Sequence, residues 1–114
     1  MKILLALDNS IYAEYISLKL KKKGYGVTVV PDGWVASELL EKEVWDKLII
    51  GIAINFFSGL EVVEQIDKER KKNMQIIVIT HIRNEKVKKN AYALGVTDFL
   101  LLPLDTEILM DKIG

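Results

Sequence analysis

Five short apolar runs punctuate the chain: Ile3–Leu7, Val27–Val30, Leu48–Ile52, Ile76–Thr80 and Phe99–Leu102. Each has the length of a strand, and the central ones carry apolar residues on both faces, as strands in a covered parallel sheet must. Between the runs, apolar residues recur at helical spacing. The sets are Ala13, Ile16 and Leu20; Ala36, Leu39 and Leu40; Val62, Val63 and Ile66; Val87, Ala91 and Leu94; and Ile108, Leu109 and Ile113. Each set predicts one apolar stripe, with Lys and Glu on the opposite face. Asn9-Ser10 and Asp32 stand where helix starts need caps, and Gly24 and Gly95 where helices should end. Five strand–helix units predict a single α/β domain over residues 1–114, a doubly wound five-stranded parallel sheet with helices on both faces. No internal repeat, linker or low-complexity segment interrupts it.

Composition narrows the function classes. With 114 residues, half of them hydrophobic, the chain can bury one real core. Sixteen basic residues balance sixteen acidic ones, which removes the electrostatic case for direct binding to nucleic acid. Cysteine is absent and His81 is the only histidine, so thiol chemistry and paired-histidine metal sites are excluded and no cofactor is expected. No apolar run is long enough to cross a bilayer. The opening run reads as a buried strand and not a secretory leader, and a cytoplasmic location is the expectation.

In such a sheet, function gathers at the carboxyl ends of the strands. Leu7-Asp8-Asn9-Ser10 follow the first strand, Gly51 to Asn55 the third, Thr80-His81 the fourth and Leu102-Pro103 the fifth. At this point the whole chain resembles the response-regulator receiver domain of two-component signalling. Lys2 to Asp8 resembles that family's opening strand, and Pro31-Asp32-Gly33 the turn after its second. Ser58-Gly59-Leu60-Glu61-Val62 resembles the start of its third helix. Ile76 to Thr80 resembles its fourth strand, with the switch hydroxyl at the end, and Ala93 to Leu104 its closing segment. The resemblance implies the flavodoxin-like strand order 2-1-3-4-5 and a cis bond between Leu102 and Pro103.

The positions that carry the family's chemistry are altered. Of the two acids that help hold a divalent metal, Leu7 replaces one and Asp8 keeps the other. Gly51 stands at the acceptor aspartate and Leu102 at the lysine before the closing proline; Thr80 and the switch aromatic Phe99 are retained. Acyl-phosphate formation needs a carboxylate nucleophile, and glycine has none. Magnesium favours an octahedral oxygen shell, for which a lone Asp8 is a poor cage. A lysine kept without its carboxylates would be a stranded cation, at roughly 3–5 kcal/mol for a broken buried pair. Removing both signs together avoids that cost. The expectation is a non-enzymatic pseudo-receiver, without catalytic or metal-ligating residues, that binds protein partners in a signalling pathway. The alternative is a residually active receiver that takes phosphate at a non-standard residue with magnesium.

Other residues carry two readings each. Asp8 is a residual pocket acid, or a helix cap or solvated acid. Thr80 is a two-position hydroxyl, or a strand-end residue bonded to nearby backbone. His81, after Thr80 at the active edge, is a phosphate-accepting or pH-sensing residue, or a lone histidine with no oriented carboxylate to activate it. Of Phe56 and Phe57, one is expected to fill the space of the missing acceptor and the other to stand out as a docking anchor, with Trp34 half exposed. Lys86, Lys88 and Lys89 make the fourth helix basic, and Asp105, Glu107 and Asp111 make the fifth acidic. The resemblance implies a partner or homodimer face there, on which opposite charges pair across a two-fold axis or simply stay solvated. The Asp8-Asn9-Ser10 loop lacks the glycine and clustered hydroxyls of a phosphate cradle, which argues against a small-ligand site.

Overall fold

Every apolar run becomes a strand that begins one residue earlier than the run itself. In the computed structural model, which describes residues 1–114, the strands are β1 (Lys2–Ala6), β2 (Gly26–Val30), β3 (Lys47–Gly51), β4 (Gln75–Thr80) and β5 (Asp98–Leu101). All neighbouring pairs are parallel, in the order β2-β1-β3-β4-β5. The period of two along each strand sorts its side chains into two cores. Leu4, Ala6, Leu48, Ile50, Ile76 and Val78 face one layer of helices, and Ile3, Leu5, Leu7, Ile49, Ile77 and Ile79 face the other. β2 lies at an edge and leaves Thr28 and Val29 exposed.

The helices are α1 (Ser10–Lys22), α2 (Gly33–Lys42), α3 (Gly59–Gln65), α4 (Lys68–Lys71), α5 (Glu85–Leu94) and α6 (Thr106–Ile113). α1 and α6 cover one face of the sheet; α2, α3 and α5 cover the other. Asn9 and Asp32 cap α1 and α2, accepting hydrogen bonds from the amides of Tyr12 (3.0 Å) and Val35 (2.9 Å). Ser58 and Glu61 form a reciprocal capping box that starts α3. Gly95 ends α5 at φ 113°, a left-handed position that glycine fills without strain.

Two features depart from the pattern reading. The third helical stretch is interrupted at Ile66, whose extended backbone ends α3, and Asp67 then caps the extra single turn α4. The fourth and fifth helical stripes of the sequence are therefore α5 and α6. In α6 the buried residues are Leu109, Met110 and Ile113, while Ile108 points outward. The stripe is rotated because α6 must reach the Leu5–Ile77–Ile79 face of the sheet, a direction that helical spacing alone does not specify.

Candidate functional site

The four strand ends that the sequence singles out converge. Ala6 pairs with Ile50, Gly51 with Ile79, and Thr80 with Leu101, so Leu7, Gly51, Thr80 and Leu102 share one edge of the sheet. There they line a cleft together with Asp8, Pro103 and the loop after β5. Leu7, Ile79 and Thr80 are buried, Leu102 is half-buried, and Asp8 and Pro103 are exposed.

The surroundings of Gly51 are apolar. A Cβ built there would lie 3.5 Å from a methyl of Ile54, 3.5 Å from a methyl of Leu7 and 3.7 Å from the Ile79 carbonyl oxygen. Asp8 is the only carboxylate in the cleft lining, and no group of three His, Cys, Asp or Glu side chains anywhere in the chain could hold a metal ion. The donor set does not fit the divalent ion that the resemblance implies, because one exposed carboxylate supplies too few oxygens to displace magnesium's water.

Thr80 takes its backbone-bonded reading. Its hydroxyl accepts a hydrogen bond from the Ile82 amide at 3.1 Å, and its carbonyl accepts one from the Leu102 amide at 2.9 Å. Asn9, not Asp8, caps α1. His81 lies at the mouth of the cleft and is exposed. The Leu102–Pro103 bond is cis. Phe99 is half-buried against the α2–α3–α5 core.

Tyr12 was not predicted to belong to the site. Its ring packs among the α1–α6 core residues and forms part of the cleft wall, and its hydroxyl is buried without a hydrogen-bond partner. Leaving such a group unsatisfied costs about 1–3 kcal/mol. Burial, with a smaller contribution from neighbouring Tyr15, pushes the phenol pKa up. The available signal was position, since Tyr12 sits in the first turn of α1, three residues after the cap. Ile54 lies in the stretch after β3 that the sequence singles out, but its contact with the Gly51 position is made by the fold of the loop and not by any local pattern.

The two phenylalanines do not fill the acceptor space. Neither lines the cleft. Phe57 turns to the α2–α3–α5 side, where its ring stacks on Trp34 with centroids 6.0 Å apart and planes 8° apart. The β3–α3 loop is pinned there: the Gly33 amide donates to the Asn55 carbonyl at 3.0 Å, and a Cβ on Gly33 would overlap the Phe57 carbonyl. Phe56, at φ 70° and 77% exposed, projects from this loop. Trp34 is half exposed, as expected. Lys86 and Lys89 lie exposed on α5, and Asp105 caps α6 by accepting from the Glu107 amide at 2.9 Å. No ion pair joins α5 to α6 within the chain.

A family model, the response regulator receiver domain, matches residues 3–114. The chain belongs to that family. Receiver domains are the signalling modules of two-component response regulators, and they interact with partner proteins. Among curated proteins, this receiver domain is 29% identical over 112 residues to the transcriptional regulatory protein CrdR of Helicobacter pylori, covering 98% of the chain and 53% of that protein. It is 29% identical over 107 residues to the transcriptional regulatory protein TctD of Salmonella typhimurium, covering 94% of the chain and 47% of that protein. The chain thus spans about half the length of the curated relatives it matches. Among solved structures, the chemotaxis response regulator CheY4 of Vibrio cholerae superposes with a TM-score of 0.89 at 25% identity, covering 98% of this chain and 94% of that one. No helix of the receiver domain is long and apolar enough to cross a membrane.

Proposed function

We propose that this receiver domain is a pseudo-receiver: it signals by binding protein partners and takes up no phosphoryl group at the position its family uses. One observation carries the reading. The acceptor position is Gly51, and methyl groups of Leu7 and Ile54 stand 3.5 Å from where its side chain would begin. A nucleophile is missing, and the space where phosphate would sit is apolar. Leu102 in place of the lysine removes the ammonium that would meet developing phosphoryl charge from the end of β5. The domain then has no enzymatic step of its own. Its zero net charge favours proteins over nucleic acid as direct partners.

Two surfaces fit protein contact. The first is the aromatic group made by Trp34 at the start of α2 and Phe56 and Phe57 on the pinned β3–α3 loop, where Phe56 and Trp34 are exposed and Phe57 backs them, because exposed aromatics concentrate binding energy. The second is the α5–β5–α6 face, where Lys86 and Lys89 of one copy would meet Asp105 of another in a homodimer. The deciding experiment is intact-mass analysis after incubation with acetyl phosphate, with and without magnesium. The expected result is no mass gain in either condition. A stoichiometric, acid-labile, aspartyl-linked phosphoryl group would refute the reading.

A further inference from the structure

The cleft at the carboxyl edge encloses about 590 Å³, inside the range of roughly 300–1,000 Å³ found for small-molecule sites. Its walls are mainly Leu7, Ile52, Ile79, Ile82, Leu102 and Leu104. Asp8 and His81 stand exposed at the mouth, and no lysine or arginine belongs to the lining. An anion therefore finds no counter-charge in the walls themselves, the nearby Arg83 guanidinium being turned to the Leu102 carbonyl at 3.4 Å, and a cation finds one solvated carboxylate. The walls favour an uncharged apolar body, because removing such surface from water is the interaction they offer.

The polar groups narrow the class further. The Tyr12 hydroxyl is buried at one wall with no partner. The amides of Ala53 and His81, also in the lining, make no main-chain hydrogen bond. All three can donate, the two amides at the exposed rim and the hydroxyl in the wall, so an acceptor oxygen seated beside one or two of them would be hydrogen-bonded. The absent phosphate cradle does not bear on a neutral ligand, which needs no nest of amides.

We propose that the cleft binds an uncharged, largely apolar small molecule carrying a carbonyl oxygen, and that its occupancy is an input to this domain. The proposal rests on the reading that phosphoryl chemistry is lost here. It deepens that reading by naming what the vacated edge of the sheet is shaped to hold.

The test uses prodan, an uncharged naphthyl ketone, titrated into the intact domain and followed by its emission. Saturable one-to-one binding with a blue shift is expected. Ala53→Trp, a bulky change at an exposed rim position, weakens it by about tenfold or more. Tyr12→Phe weakens it by about fivefold, the worth of one hydrogen bond. Val44→Ser, at an exposed apolar residue outside the cleft, leaves it unchanged. Anilinonaphthalene sulfonate, an anionic probe of similar size, binds about tenfold more weakly than prodan. Non-saturable emission, full affinity in a folded Ala53→Trp variant, loss on Val44→Ser, or preference for the sulfonate would each overturn the site. Unchanged affinity in Tyr12→Phe would overturn the carbonyl assignment. Acetyl phosphate treatment separates the two levels. Phosphoryl uptake defeats the underlying reading whatever prodan does; absent prodan binding without uptake defeats this inference alone.

Discussion

Returning a carboxylate to position 51 measures how far the site has lost its polarity. The steric cost is small, because a Cβ there makes only ordinary contacts of 3.5–3.7 Å. Gly51→Ala should therefore be neutral, or stabilise by about 0.4–1 kcal/mol through lost freedom in the unfolded chain. Gly51→Asp adds a charge beside Leu7, Ile79 and Leu102 with no cation in the lining. Desolvation favours the neutral acid, so the carboxyl pKa in the folded state rises above its ordinary value of about 3.9. A rise of about two units corresponds to ~2.7 kcal/mol. For a raised folded pKa, stability is whole below the unfolded value and is lost as pH climbs through the folded one. The Asp variant should thus match its uncharged isostere Gly51→Asn near pH ~4 and fall below it by about 2–3 kcal/mol at pH ~7. Urea unfolding of the Ala, Asn and Asp variants across this range checks it. Adding Leu102→Lys, on the same cleft, should restore at least about 1 kcal/mol of the loss in a double-mutant cycle. Equal stability of Asp and Asn at neutral pH, or strict additivity with Leu102→Lys, would refute the apolar, cation-free description of the cleft.

Three further outcomes follow from the packing. Gly33→Ala drives a Cβ into the Phe57 carbonyl, with that carbonyl's carbon only 3.0 Å away; it should cost about 1–3 kcal/mol in urea unfolding and loosen the Trp34–Phe57 stack, read as a change in tryptophan emission. Leu109→Ala should destabilise by about 2–5 kcal/mol, whereas Ile108→Ser, on the exposed side of α6, should change stability by no more than about 0.5 kcal/mol in the same assay. The Lys71 amine donates to the Leu94 carbonyl at 2.6 Å. Burial lowers its pKa below the ordinary 10.5, with Glu64 opposing and Lys68 adding to the shift. Stability should therefore rise as pH climbs through the window just below that value, because there the unfolded chain holds the extra proton. Lys71→Met should flatten the rise in alkaline thermal melts.

The chain's local patterns determined a good deal. The near-continuous apolar runs Ile3–Leu7 and Ile76–Thr80 marked burial on both faces of the sheet, and the stripe Ala13, Ile16, Leu20 marked the inward face of α1, because side-chain direction follows from backbone geometry. Asn9, Asp32 and Gly95 marked helix ends because capping is chemistry between near neighbours. The loss of the acceptor was legible as Gly51, Leu7 and Leu102. What those residues create together was not. The rotation of α6 that buries Met110 in place of Ile108 depends on where the helix meets the sheet. The turn of Phe57 toward Trp34, away from the acceptor position, depends on Asn55 and Phe57 docking against Gly33. The buried, unpartnered Tyr12 hydroxyl depends on packing of its ring against the α1–α6 core. Each joins residues distant along the chain, and close packing decides among arrangements that local preference leaves nearly equal in energy.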